Sequence, residues 1–150
     1  MDSRNRIHSE GTYRVIRAEN IGLLMVCTCL LVQHREHVNW VHGFIAFWLI
    51  DVVGYLPGAW AHRRSRGKPI AQGYYVLYNV AHNYLVGGMG IVLWAWVQHG
   101  FEWAMLAVPI HYSIDRGIFG NILKPGRLSF EPSQASDEVI HVILGRKQVL

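Results

Sequence analysis

Cysteine is nearly absent from this chain of 150 residues: only Cys27 and Cys29 occur. Two apart on a helix, they point in widely separated directions, so they neither bridge nor share a metal readily and read as apolar fillers. Internal repeats and low-complexity stretches are also missing. No small-residue cleavage site follows the basic, polar leader of residues 1–14, so the first apolar block reads as a retained helix, not a secretory signal. Most telling is the lack of evenly spread polarity. A soluble helical fold brings polar residues back every few positions, whereas here the apolar residues, about half of the chain, are gathered into blocks of nearly membrane-spanning length.

Four such blocks predict an all-α, polytopic membrane protein, a bundle of four transmembrane helices over about 15–32, 38–60, 73–98 and 101–120, followed by a tail at 125–150. Each is near the ~20 residues that cross a bilayer core. Arg17, Glu19 and Asn20 open the first, which makes it the weakest. Trp40, Tyr55, Trp60, Tyr74, Tyr75, Trp94, Trp96 and Trp103 cluster near block ends, as interfacial aromatic belts do. With both termini cytoplasmic, 13 of the 14 basic residues face inward and only Arg35 lies outside. That asymmetry follows the positive-inside rule, and three spans would spoil it. The expected location is the cell inner (plasma) membrane, in several passes. Surplus positive charge is then explained by topology, and with no recognition motif beside the basic loop, nucleic acid is not expected as a partner. The tail is polar at first and ends in VIHVILGRKQVL, a short strand or helix on the cytoplasmic face.

Ionisable residues inside the blocks carry the functional signal. A helix rises 1.5 Å per residue, so counting from the cytoplasmic ends places Asp51, His82 and His111 at roughly 13 Å, Asp115 at roughly 8 Å and Glu19 at roughly 6 Å. Four helices thus bring a carboxylate or an imidazole to similar depths. His111 and Asp115 are i, i+4, as are Tyr78 and His82 and also Asp51 and Tyr55, while Asn79 and His82 are i, i+3. A carboxylate buried in the bilayer without a partner costs about 2.5 to 3.5 kcal/mol on insertion scales, so compensation is required.

Taken together, "RAEN" at 17–20, "DVVGYLPG" at 51–58, "YNVAHNY" at 78–84 and "HYSIDRGIFGNILKP" at 111–125 resemble a family of small bacterial four-helix membrane proteins of unknown function. The resemblance spans about residues 14–130. In that family's pattern Arg17 and Glu19 open the first helix, and Asp51, Gly54 and Tyr55 close the second. Tyr78, Asn79 and His82 open the third, and His111, Asp115 and Arg116 lead to an ending at Gly120, Leu123 and Lys124. The basic loop "AHRRSRGKPIAQG", Asn20 in place of a common glycine, and the tail after Phe130 depart from the pattern. The resemblance implies a four-helix core and no activity, so mechanism rests on the residues.

Two imidazoles with carboxylates match the ligand set of zinc, iron or manganese, and helical bundles build such sites from inward-facing side chains. Asp51, His82, His111 and Asp115 are the expected metal ligands. Glu19 is expected either behind them or as the base that activates a bound water, and Tyr78 or Asn79 as the group that orients substrate. Arg63, Arg64, Arg66 and Lys68 would attract an anionic lipid headgroup, making membrane lipid the expected partner and a lipid or other amphiphile the expected substrate of a metal-dependent enzyme. Two other readings stay open. The same residues can form a structural network, with Asp115 paired to Arg116 and Glu19 to Arg17, or a proton or ion relay in a transporter, which four short helices would support only as a homo-oligomer or within a larger complex. His34, His37 and His42 near the outer interface read as a solvated loop, with His42 able to face the bundle. "GGMG" at 87–90 lacks the strand, lysine and hydroxyl of a phosphate loop and reads as a close-packing stripe. Pro57 is expected to end the second span, and Pro109 to bend the fourth before His111.

Overall fold

The computed structural model describes residues 10–66, 68–124, 126 and 129–131, and among these every regular element is helical. Much of the leader and most of the tail lie outside the described residues, including VIHVILGRKQVL.

Helix α1, Glu10–Gln33, is continuous. After a 3-10 turn at Arg35–His37, α2 runs over Trp40–Gly54, its first turn capped by the Asn39 side chain, which accepts from the His42 amide at 3.2 Å. Pro57 does not end the second span. The chain passes through Tyr55 in helical geometry into α3, Leu56–Ser65, where Pro57 occupies the first turn and its missing N–H forfeits nothing. The true stop is Arg66, in left-handed geometry with φ of 52°, after Arg63 and Arg64 have placed positive charge at the carbonyl end.

The third block is broken, not continuous. α4, Gln72–Ala81, ends at His82, Asn83 turns extended and caps α5, Tyr84–Val97, and the two helices meet at a 56° bend. In the sequence Asn83 looks like one more polar residue in an apolar run, but its side chain accepts from the Leu85 amide at 2.8 Å and starts a new helix. A carbonyl freed in an apolar interior costs several kcal/mol unless protein groups take it up. Both here are taken up: Tyr112 donates its hydroxyl to the Ala81 carbonyl at 2.7 Å, and Arg116 donates to that of His82 at 2.8 Å.

The last segment passes through three helical geometries, a 3-10 turn at Trp103–Leu106, α6 at Ala107–Ser113 and a π turn at Ile114–Phe119. Pro109 falls in the first turn of α6, just after the change from 3-10 to α geometry. This segment is the inner element. α1 lies along α6 and the π turn, α2 packs on α4, α6 and the 3-10 turn, and α5 packs on α6. Ala104, Met105, Ala107, His111, Tyr112, Ser113 and Gly117 are buried along it.

The surrounding helices turn large apolar side chains outward, among them Met25, Phe44, Trp48, Leu85, Val92 and Trp96. Residues Gly11–Gln33 and Trp40–Ser65 are each long and apolar enough to cross a membrane, and Gln72–Ala81 with Tyr84–Val97 gives a third crossing if the bent pair is one span. The inner segment, in pieces of 4, 7 and 6 residues, is not among these candidates.

Candidate metal centre

Asp51 comes from the end of α2, His82 from the break between α4 and α5, His111 from α6 and Asp115 from the π turn. Each position has a local cause. Gly54 allows α2 to approach the break: a Cβ there would stand 2.7 Å from that of Ala81 and 3.0 Å from the His82 ring. His82 is fixed by the residue one turn earlier, for its ring stacks on Tyr78 at 4.0 Å and its Nδ1 lies 2.9 Å from the Tyr78 carbonyl. Asp115 lies in the widened π turn, a geometry that recurs at functional sites.

All four expected ligands meet. His82 Nε2 lies 3.3 Å from Asp51 Oδ1 and 3.4 Å from Asp115 Oδ2, and His111 Nε2 lies 3.7 and 3.8 Å from the same two atoms. One ligand atom each from Asp51, His82 and His111 falls within 4.8 Å of the others. Ligands at about 2.0 Å from a tetrahedral zinc stand about 3.3 Å apart, so the cage is slightly open around an ion of that size. Both histidines are 3% exposed, Asp115 is 16% and Asp51 27%.

Protonation follows from the partners. A carbonyl only accepts, so His82 carries its proton on Nδ1. In the neutral ring the Nε2 lone pair then faces two carboxylates, which repel it unless a cation intervenes. His111 is more exacting: both its nitrogens are buried without a hydrogen-bond partner. An orphaned buried polar group costs about 1–3 kcal/mol. A dication between the two rings and the two carboxylates would take up the Nε2 atoms of both His82 and His111, leaving His111 Nδ1 as the one nitrogen of the pair without a hydrogen-bond partner.

No family model, curated protein or solved structure matches the chain. The functional reading therefore rests on the chemistry of these side chains.

Other expected site residues fall elsewhere. Glu19 is exposed on α1 and is not in the group formed by Asp51, His82 and His111. Its neighbour Asn20 is the buried polar group of that helix, donating to the Ile16 carbonyl at 2.7 Å and accepting from the Tyr84 hydroxyl at 2.6 Å. Arg17 donates instead to the carbonyls of Gly117 and Ile118, at 3.0 and 3.1 Å. Arg116, turned to the His82 carbonyl, also lies over the Tyr84 ring at 4.5 Å.

Asn79 is tied to the backbone of Lys124, accepting from its amide at 2.8 Å and donating to its carbonyl at 3.0 Å. Tyr78 is buried, with its ring stacked on that of His82. Arg63, Arg64, Arg66 and Lys68 are all exposed at the end of α3 and just beyond it. His42 pairs with Glu102, its Nδ1 lying 2.9 and 3.1 Å from the two carboxylate oxygens.

Lys124 is the residue whose importance the sequence hides. Its ammonium lies 4.4, 5.0 and 5.4 Å from the ring centres of Phe130, Tyr78 and Tyr55 and donates to the Phe130 carbonyl at 2.5 Å. Burial pushes it below the usual lysine range, while Glu131 and Asp115 pull it back up. Its only signal is the Gly120, Leu123, Lys124 ending, which carries no hint that rings from three parts of the chain surround it.

Proposed function

We propose that this chain is an integral membrane protein of the cell inner membrane, crossing it four times with both ends cytoplasmic, and that it holds a divalent metal between its helices. Asp51, His82 and His111 are the ligands. Two histidines and one carboxylate leave positions open on zinc, iron or manganese, and such a centre would supply Lewis-acid chemistry. Asp115, beside both imidazoles, either completes the ligand set or accepts a proton there, the task for which Glu19 is misplaced. The function that fits best is a metal-dependent enzyme acting on a lipid or other amphiphile from the cytoplasmic side, with Arg63, Arg64, Arg66 and Lys68 drawing an anionic headgroup to that face.

One observation carries this reading. His82 has its Nδ1 committed to a carbonyl and its Nε2 aimed at two carboxylates, beside an imidazole with no hydrogen-bond partner. A second reading competes on the first half of that observation: a doubly protonated His82 would bridge Asp51 and Asp115 as a purely structural network. It leaves His111 Nε2 without a hydrogen-bond partner, whereas a metal would take that atom as a ligand, and this favours the metal. Elemental analysis of the detergent-purified full chain separates the two. Zinc, iron or manganese at about one per chain, lost in His82→Ala and His111→Ala, is expected. A metal-free chain whose two variants fold like the parent would end the metal reading.

A further inference from the structure

A cage with both imidazoles 3% exposed needs a route for a hydrated ion. Asp51 is its most open member, but on α2 it is flanked by Trp48 and Val52, 49% and 51% exposed, an apolar surface that a hydrated cation does not cross. On another side of His82 stands Tyr78, stacked on its ring. There the chain beyond the last helix returns, and Phe130 is completely buried. Its ring meets Tyr75 at 5.3 Å, Tyr78 at 6.1 Å and Tyr55 at 6.0 Å, and it lies so close to Gly58 that no Cβ fits there.

We propose that Phe130 and Glu131 form a stopper closing the cytoplasmic approach to the cage, with Lys124 as the positioning residue that latches it. What the stopper guards rests on the metal reading above; that it closes the approach does not. Its ties combine the aromatic packing of Phe130 with two side-chain hydrogen bonds to other parts of the chain, which a simple hydrophobic anchor would lack. Lys124 donates to the Phe130 carbonyl, Tyr55 donates its hydroxyl to the Glu131 carboxylate, and the Ser129 hydroxyl donates to the Glu131 carbonyl at 3.0 Å. Asn79 fixes Lys124 from behind through both backbone groups. Tyr78 joins the two regions, meeting Phe130 edge to face and stacking on His82. Release of the latch would open a path to His82 and free an ammonium beside Asp115, where an anionic group arriving from the cytoplasm would meet it.

The test uses the full chain in detergent after chelator treatment, with diethyl pyrocarbonate acylation of each histidine followed by peptide mass spectrometry. Exposed His37 and His99 serve as references. Phe130→Ala and Lys124→Met are expected to speed labelling of His82 and His111 by ~10-fold or more relative to the references, as expected when a local closed state is weakened. Lys124→Arg should stay near the parent rate. Tyr55→Phe and Glu131→Gln, which remove one tie each, should give a smaller rise and decide the matter if Phe130→Ala does not fold. Unchanged labelling in these variants, or an equal rise at His42, would overturn the proposal. A parent chain that never takes up metal would sink the proposed function, while the labelling rates would still decide whether the stopper closes the approach.

Discussion

Among the described residues two places set histidine against carboxylate, and they are built differently. At one end His42 Nδ1 sits between both oxygens of Glu102 at 2.9 and 3.1 Å, with His42 39% exposed. That pair is complete: one donor, one carboxylate, and solvent or headgroups within reach of the rest. In the interior, two imidazoles face two carboxylates at 3.3 to 3.8 Å and one ring has no hydrogen-bond partner. The outer arrangement is a hydrogen-bonded pair, and the inner one is a buried group of side chains that could hold a metal ion. What separates them is the count of donors and acceptors, not the kinds of residue.

Substitutions should therefore act unequally at the two places. The largest effect is expected at the inner one. A metal held at a thousand times its dissociation constant adds about 4 kcal/mol to stability, so chelator should lower the melting midpoint of the parent by several degrees and leave that of His111→Ala unmoved. Next come the supports of His82. Gly54→Ala drives a methyl group into Ala81 and the His82 ring, and overpacking of this kind costs about 1–3 kcal/mol; thermal unfolding should show the loss and metal titration a weakened site. Arg116→Met leaves the carbonyl at the helix break without its donor, which should cost about 1–3 kcal/mol by the same melting assay. The smallest effect is expected at the outer pair. Glu102→Gln removes a partly exposed ion pair worth no more than about 1 kcal/mol and should leave metal content unchanged. An outer substitution that empties the metal site would erase the distinction.

Much of the inner arrangement is legible in the sequence. Rise per residue places Asp51, His82, His111 and Asp115 at neighbouring depths, and the i, i+4 spacing of His111 and Asp115 puts them on one face. Glu19 shows the limit of that reasoning. Depth fixes height along a helix and says nothing of direction around it, and one residue is enough to exchange an exposed Glu19 for a buried Asn20.

The break at His82 and Asn83 escapes for a different reason. In an unbroken apolar run a capping asparagine looks like any other buried amide, and only Tyr112 and Arg116, about thirty residues later, make the break tolerable by taking up its carbonyls. The rings around Lys124 are likewise a product of tertiary packing, brought together from Tyr55, Tyr78 and Phe130.

Cobalt(II) titration of the chelator-stripped chain in detergent, followed by visible absorption, tests the centre most directly. Saturation is expected at about one ion per chain, with bands of low-symmetry, nitrogen- and oxygen-ligated cobalt that are absent in His82→Ala and preserved in Glu102→Gln. A spectrum that stays that of hydrated cobalt, or one that His82→Ala leaves intact, would contradict a metal held between these helices.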